Sequence, residues 1–260
     1  MNLYYPSGPR EANLIEAADT LLDARRTMRP LVDLPAALVP QDMLEVYFVQ
    51  DRIAEALGPI GGWKIGKPTP DTVPTYAPMP LSGIGPSGSL LSRERHSYRG
   101  LEAEIAFLVG RDLPPRDLPY SREEVIAAMA SCHPAIEVLE PAFADPTTVP
   151  PLAMLADLQM HGGFVYGRAC AAWETIDFTR EQVVLAINGV VRVERTGSNT
   201  SGDLVGLLPY LANQCATRTG GLRAGQWITT GSWTGNTQAL DASSVNVHFN
   251  RAGRVSTRFE

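Results

Sequence analysis

Gly100–Pro114 reads GLEAEIAFLVGRDLP, an apolar run with two carboxylates one residue apart. The composition predicts a strand, in which side chains alternate between faces. Leu101, Ala103, Ile105, Phe107 and Val109 then share one face, while Glu102 and Glu104 share the other with Ala106 and Leu108. The two glutamates point the same way, their Cα atoms about 6.6 Å apart. Their repulsion needs relief, from water on an open edge strand, from a basic partner, or from a cation. The stretch alone leaves these three open.

Outward from this strand, the chain of 260 residues is 44% hydrophobic and 19% charged, an ordinary globular composition with a sizeable core. A net charge of -6 and the lack of any long basic run argue against nucleic acid and anionic membranes as partners. No apolar run reaches the length of a membrane span. The opening MNLYYPSGPREANL lacks a charged segment followed by an apolar one, so no signal peptide is expected. Cys132, Cys170 and Cys215 are scattered, which argues against a disulfide framework or a thiolate zinc site. A cytoplasmic location is the expectation.

Helical periodicity covers residues 11–28 and 41–57, separated by the proline-containing RPLVDLPAALVP. The character changes at GGWKIG. Short strands and turns follow, with a capping box at Ser121–Glu124 predicting a helix to about Ser131, and a strand AIEVLE bounded by Pro134 and Pro141. Asn188-Gly189 predicts a hairpin turn inside VVLAINGVVRVER. Pro209 opens a helix that stops at Gly220-Gly221. GQWITTGSW, SVNVHF and RVSTRF close the chain as strands. The pattern divides into a helical segment, residues 1–60, and a β-rich body, residues 61–260, in one continuous unit. The class is α+β, because helices do not alternate with strands.

Gly83–Gly88 matches G-x-G-x-x-G, but Pro86 lies inside it and no helix follows, so it is a Gly/Pro turn and not a dinucleotide site. His96, His133, His161 and His248 show no metal-binding spacing, and His161 alone sits between LADLQM and a Gly-Gly strand start. Glu137 is a further carboxylate in an apolar strand. Hard divalent cations take oxygen ligands, and Glu102, Glu104 and Glu137 would form such a set, unless they are three unrelated surface glutamates. Lys64, whose neighbours Trp63 and Ile65 face the other way, suits a carboxylate-bearing substrate beside a metal, or else is a solvated lysine before a turn.

Together GGWKIG, LEAEIAFLVGRDLP, HPAIEVLEPAF, LADLQMHGGFVYG and LRAGQWITTGSWTG resemble, in order and spacing, the 2-keto-4-pentenoate hydratase family of the fumarylacetoacetate hydrolase superfamily. The resemblance spans essentially the whole chain. It implies a mixed β-roll with N-terminal helices, a divalent cation (Mg²⁺ or Mn²⁺), a small-molecule 2-oxo acid substrate and a homo-oligomer. It implies Glu102, Glu104 and Glu137 as metal ligands and Lys64 at the substrate's carboxylate end. Hydrolysis of an acylpyruvate would need a base, for which His161 or Asp157 could serve.

The sequence departs from the pattern in places. Leu158-Gln159-Met160 stand where the family often carries Asn-Ala-Ser, which suggests a less polar pocket and an uncharged substrate tail. Lys67, followed by two prolines within three residues, has no readable direction, and ALDASS replaces a more usual Gly-Asp turn. The reaction expected is hydration of a 2-hydroxy-2,4-dienoate. The alternatives are decarboxylation of a 2-oxo-enedioate, hydrolysis of an acylpyruvate, and a non-catalytic subunit supporting a partner enzyme.

Overall fold

The computed structural model describes residues 7–239 and 243–260. Residues 1–6 of the opening segment, and residues 240–242 of ALDASS, lie outside the described set. The chain opens with α1 (Pro9–Thr27) and α2 (Met43–Leu57), the latter capped by the Asp42 carboxylate on the Glu45 N–H. Then come β1 (Ile60–Gly66), β2 (Thr75–Pro80), β3 (Ile84–Pro86), β4 (Leu90–Leu91) and β5 (Gly100–Val109). A short α3 (Arg122–Ile126) leads to β6 (Met129–Leu139), α4 (Pro151–Ala156) and β7 (His161–Tyr166). The hairpin β8 (Gln182–Ile187) and β9 (Val190–Thr196) follows, then α5 (Leu207–Arg218), β10 (Trp227–Ser232), β11 (Thr237–Gln238), β12 (Ser244–Phe249) and β13 (Gly253–Phe259).

The strands form two mixed sheets. One runs β2-β1-β10-β5-β6-β7-β3, with β11 also on β5, and the other β4-β13-β12-β8-β9. The pairs β1–β10, β3–β7 and β4–β13 are parallel, and the rest antiparallel. The apolar face of β5 explains how the sheets meet. Leu101, Ala103, Ile105 and Phe107 are fully buried in one core with Val183, Leu185, Val245, Val247 and Phe249 of the second sheet. A separate core joins α1 and α2 to α4, Ala77 and Leu158. At the β8–β9 turn, Asn188 and Gly189 have φ of 52° and 76°, the left-handed pair that a two-residue hairpin requires.

Three local expectations are corrected. The helix opened by Ser121 ends at Ile126, not near Ser131, because residues 129–131 pair with Leu108 and Val109 of β5. Pro134 lies inside β6 and does not bound it. Its carbonyl accepts from Gly167 just past the end of β7, so its missing N–H falls on a side where the ladder has already stopped. β5 is no edge strand: β10 flanks it on one side and β6 on the other, which removes the reading of Glu102 and Glu104 as a solvated edge.

Candidate metal centre

The polar face of β5 becomes a site because its neighbours add to it in register. Glu102 stands directly across from Glu137 of β6. Like charges at that cross-strand position destabilise a sheet unless something neutralises them. Glu104 and Glu137 are buried and Glu102 nearly so. One oxygen from each of the three lies within 4.8 Å of the others. Glu104 Oε2 accepts from the Thr229 hydroxyl and from the Gly231 N–H at 3.1 Å. That N–H is presented by a bulge in β10, where Gly231 takes a φ of 87° that favours glycine.

Lys64 reaches the same face from β1. Its Nζ lies 2.7 Å from Glu137 Oε1 and donates to the Gln159 carbonyl at 2.9 Å. His161 Nδ1 lies 2.9 Å from the same Glu137 oxygen. The electrostatics divide the three carboxyls. Burial pushes Glu104 well up from its ordinary value, helped by repulsion from Glu137 and Glu102, and burial raises Glu102 as well. Burial also opposes ionisation of Glu137, but Lys64 and His161 overcome it and hold Glu137 low. Desolvation works against the Lys64 charge, and the three glutamates more than offset it, so Lys64 stays cationic. Desolvation lowers His161 and favours the neutral ring.

The cluster suits a hard cation. Two oxygens on one ion lie at most about twice the metal–oxygen distance apart, about 4.2 Å for Mg²⁺ and about 5 Å for Ca²⁺. The observed 4.8 Å spread meets the larger limit and needs only a small side-chain closure for the smaller. Glu137 Oε2 is buried with no hydrogen-bond partner among the described residues, a lone-pair donor aimed at no proton.

Asp157 is placed apart from this cluster's contacts. Its carboxylate accepts from Arg25 Nε at 2.5 Å and from the Ala142 N–H at 2.7 Å, and it is fully buried. Arg25 also donates to the carbonyls of Asp157 and His161, both at 2.8 Å. These bonds clamp both ends of Leu158-Gln159-Met160, three consecutive non-glycine residues with φ of 48°, 52° and 64°. Left-handed backbone costs such residues about 1–2 kcal/mol each, so the turn persists only because its ends are fixed. Through these contacts Asp157 anchors the turn.

A cleft of about 210 Å³ opens on the glutamates, lined by Lys64, Lys67, Thr75, Gln159, Thr200 and Ser232 among others. The expectation of a less polar pocket is corrected here. Leu158 points into the helical core and is fully buried, and neither it nor Met160 lines the cleft. Lys67, whose direction the sequence hides, does line it, with Nζ 2.9 Å from the Pro70 carbonyl. Sequence reasoning also missed Thr229, Gly231, Gln159 and Arg25, whose roles depend on a bulge, a strained turn and a contact across 132 positions.

This architecture is the fumarylacetoacetate hydrolase-like fold. The chain is similar to 4-oxalocrotonate decarboxylase from Pseudomonas putida G7 in complex with magnesium and adipate, with a TM-score of 0.84 and 24% identity over 98% of this chain and 100% of that one. The same enzyme with calcium and acetate gives 0.82. A 2-hydroxyhepta-2,4-diene-1,7-dioate isomerase from Mycobacterium marinum gives 0.56 at 18% identity, over 77% of this chain and 75% of that one. In sequence, a 4-oxalocrotonate decarboxylase of Pseudomonas putida is 26% identical over 174 residues, which span 67% of this chain and 65% of the relative. No protein-family model matches. Among the described residues, no helix is long and apolar enough to cross a membrane.

Proposed function

We propose that this chain is a divalent-metal-dependent decarboxylase of a 2-oxo-enedioate of the 4-oxalocrotonate type. The observation that carries the reading is the pair of lysines in one polar cleft, Lys64 beside the three glutamates and Lys67 three residues further along the chain. A dicarboxylate offers a partner to each. The likeness to a decarboxylase whose structure holds magnesium and a dicarboxylate supports the same assignment.

Glu102, Glu104 and Glu137 would hold Mg²⁺ (or Mn²⁺). Bound there, the cation supplies a Lewis acid beside the substrate's 2-oxygen, where negative charge accumulates. Lys64 binds the head carboxylate as a point charge with three donors. His161 fixes the Glu137 carboxylate through its Nδ1. Lys67 receives the distal carboxylate. The bond between that carboxylate and the carbon chain breaks, and its electron pair moves through the conjugated system to the 2-oxygen. CO₂ leaves, and protonation of the 2-oxygen yields the 2-hydroxydienoate. Incubation with Mg²⁺ and both substrate types tests this, following CO₂ release and dienoate absorbance together. Hydration of a monocarboxylate dienoate, with no CO₂ from the enedioate, would overturn it in favour of the hydratase.

A further inference from the structure

Gln159 occupies the middle of the strained turn and lines the same cleft as Lys64 and the three glutamates. It is 8% exposed. Its main-chain carbonyl is committed to Lys64, which fixes the residue at the head end of the cleft. Its side-chain Nε2 is buried and has no hydrogen-bond partner among the described residues. An amide donor buried without an acceptor is costly, so the position calls for a group that brings one. Of the carboxylate oxygens on this cleft, Glu137 Oε1 takes Lys64 and His161 and Glu104 Oε2 takes Thr229 and Gly231, while the unpartnered Glu137 Oε2 is the oxygen left for a cation. A 2-oxo acid whose head carboxylate meets Lys64 would bring fresh oxygens to this spot.

We propose that Gln159 is a substrate-binding residue, its Nε2 donating to the head carboxylate of the incoming 2-oxo acid beside Lys64 Nζ. The left-handed backbone at Gln159 serves this role. It sends the carbonyl to Lys64, and Arg25 and Asp157 hold the turn in that state. The inference rests on the reading of the centre as a 2-oxo acid site, but not on which reaction follows.

The test uses oxalate, a two-carbon mimic of the head group, titrated calorimetrically into the full chain saturated with Mg²⁺. Gln159→Met keeps the length and removes the donor. Gln159→Asn withdraws the amide by one methylene, and asparagine tolerates left-handed backbone, so this variant keeps the turn. Both variants should bind oxalate about tenfold more weakly or worse, the size of one hydrogen bond to a charged group. Mg²⁺ affinity should stay within about twofold of the parent. Three results would overturn the proposal: oxalate affinity unchanged in both variants, no oxalate binding by the parent, or a parallel fall in Mg²⁺ affinity. The last would place the amide on Glu137 Oε2 instead. Failure of the decarboxylase reading is separable. A parent that releases no CO₂ from the enedioate, yet loses oxalate binding on substitution at Gln159, refutes that reaction and leaves this assignment standing.

Discussion

Arg25 on the first helix and Asp157 at the end of α4 form a largely buried pair in which the guanidinium binds both the carboxylate and the main-chain carbonyl of the same residue. The pair holds the turn that presents Gln159 to Lys64. Arg25→Met should leave Asp157 buried without its cation and destabilise the protein by about 3–5 kcal/mol, read by urea denaturation. Asp157→Asn should act through stability and substrate affinity while leaving the shape of the pH–rate profile unchanged. Loss of turnover with full stability, and a vanished limb in that profile, would restore Asp157 as a base.

The carboxyls make metal binding depend on pH. Glu104 sits above its ordinary value of 4.5 because of burial and repulsion from its two neighbours. Below that value it is protonated in folded and unfolded chains alike, and the metal-free fold bears no penalty. As pH rises toward the raised value the unfolded chain ionises first, so the metal-free protein loses stability. A cation requires the carboxylate and displaces the proton. The rise in Tm produced by Mg²⁺ should therefore grow as pH rises above the ordinary carboxyl value of 4.5, with proton release visible in calorimetry across buffers. A Mg²⁺ effect flat over that range would contradict the arrangement.

Substitution should separate the glutamates. Glu104→Gln removes a repelled buried carboxyl, so the metal-free protein should gain about 1 kcal/mol or more in stability at neutral pH while losing Mg²⁺ binding. Glu137→Gln should also lose the metal but should destabilise, since Lys64 and His161 both rely on that carboxylate. Thermal melts with and without Mg²⁺ distinguish the two, and equal behaviour would show that the division of charge is wrong.

Lys67 tests the substrate's far end. The distal carboxylate departs as neutral CO₂, so a cation holding it favours the bound substrate over the transition state. Lys67→Met should raise KM for the enedioate about tenfold, as for one lost charged contact, and change kcat far less. Binding of oxalate, which has no tail, should be unaffected. An equal loss for oxalate would move Lys67 to the head of the site.

The β5 strand, its two faces and the third carboxylate were legible because period-two alternation writes them into local sequence. The Asn188-Gly189 turn was legible for the same local reason. What escaped was set by partners far along the chain. Thr229 and Gly231 meet Glu104 only because β10 bulges beside β5. Leu158 and Met160 suggested an apolar pocket because their neighbours imply nothing about three successive left-handed residues, which turn Leu158 into the helical core and leave Gln159 on the cleft. Pro134 misled for a related reason, since a proline ends a strand only where the ladder needs its N–H.

The contact between Arg25 and Asp157, like that between Thr229 and Glu104, spans more than a hundred residues. Such contacts form late, since the entropy of closing long loops must be met before they reward the chain. The centre is therefore incomplete until those long-range contacts close. Mg²⁺ should then leave the refolding rate nearly unchanged and slow unfolding, the kinetic signature of a stabilising interaction absent from the transition state.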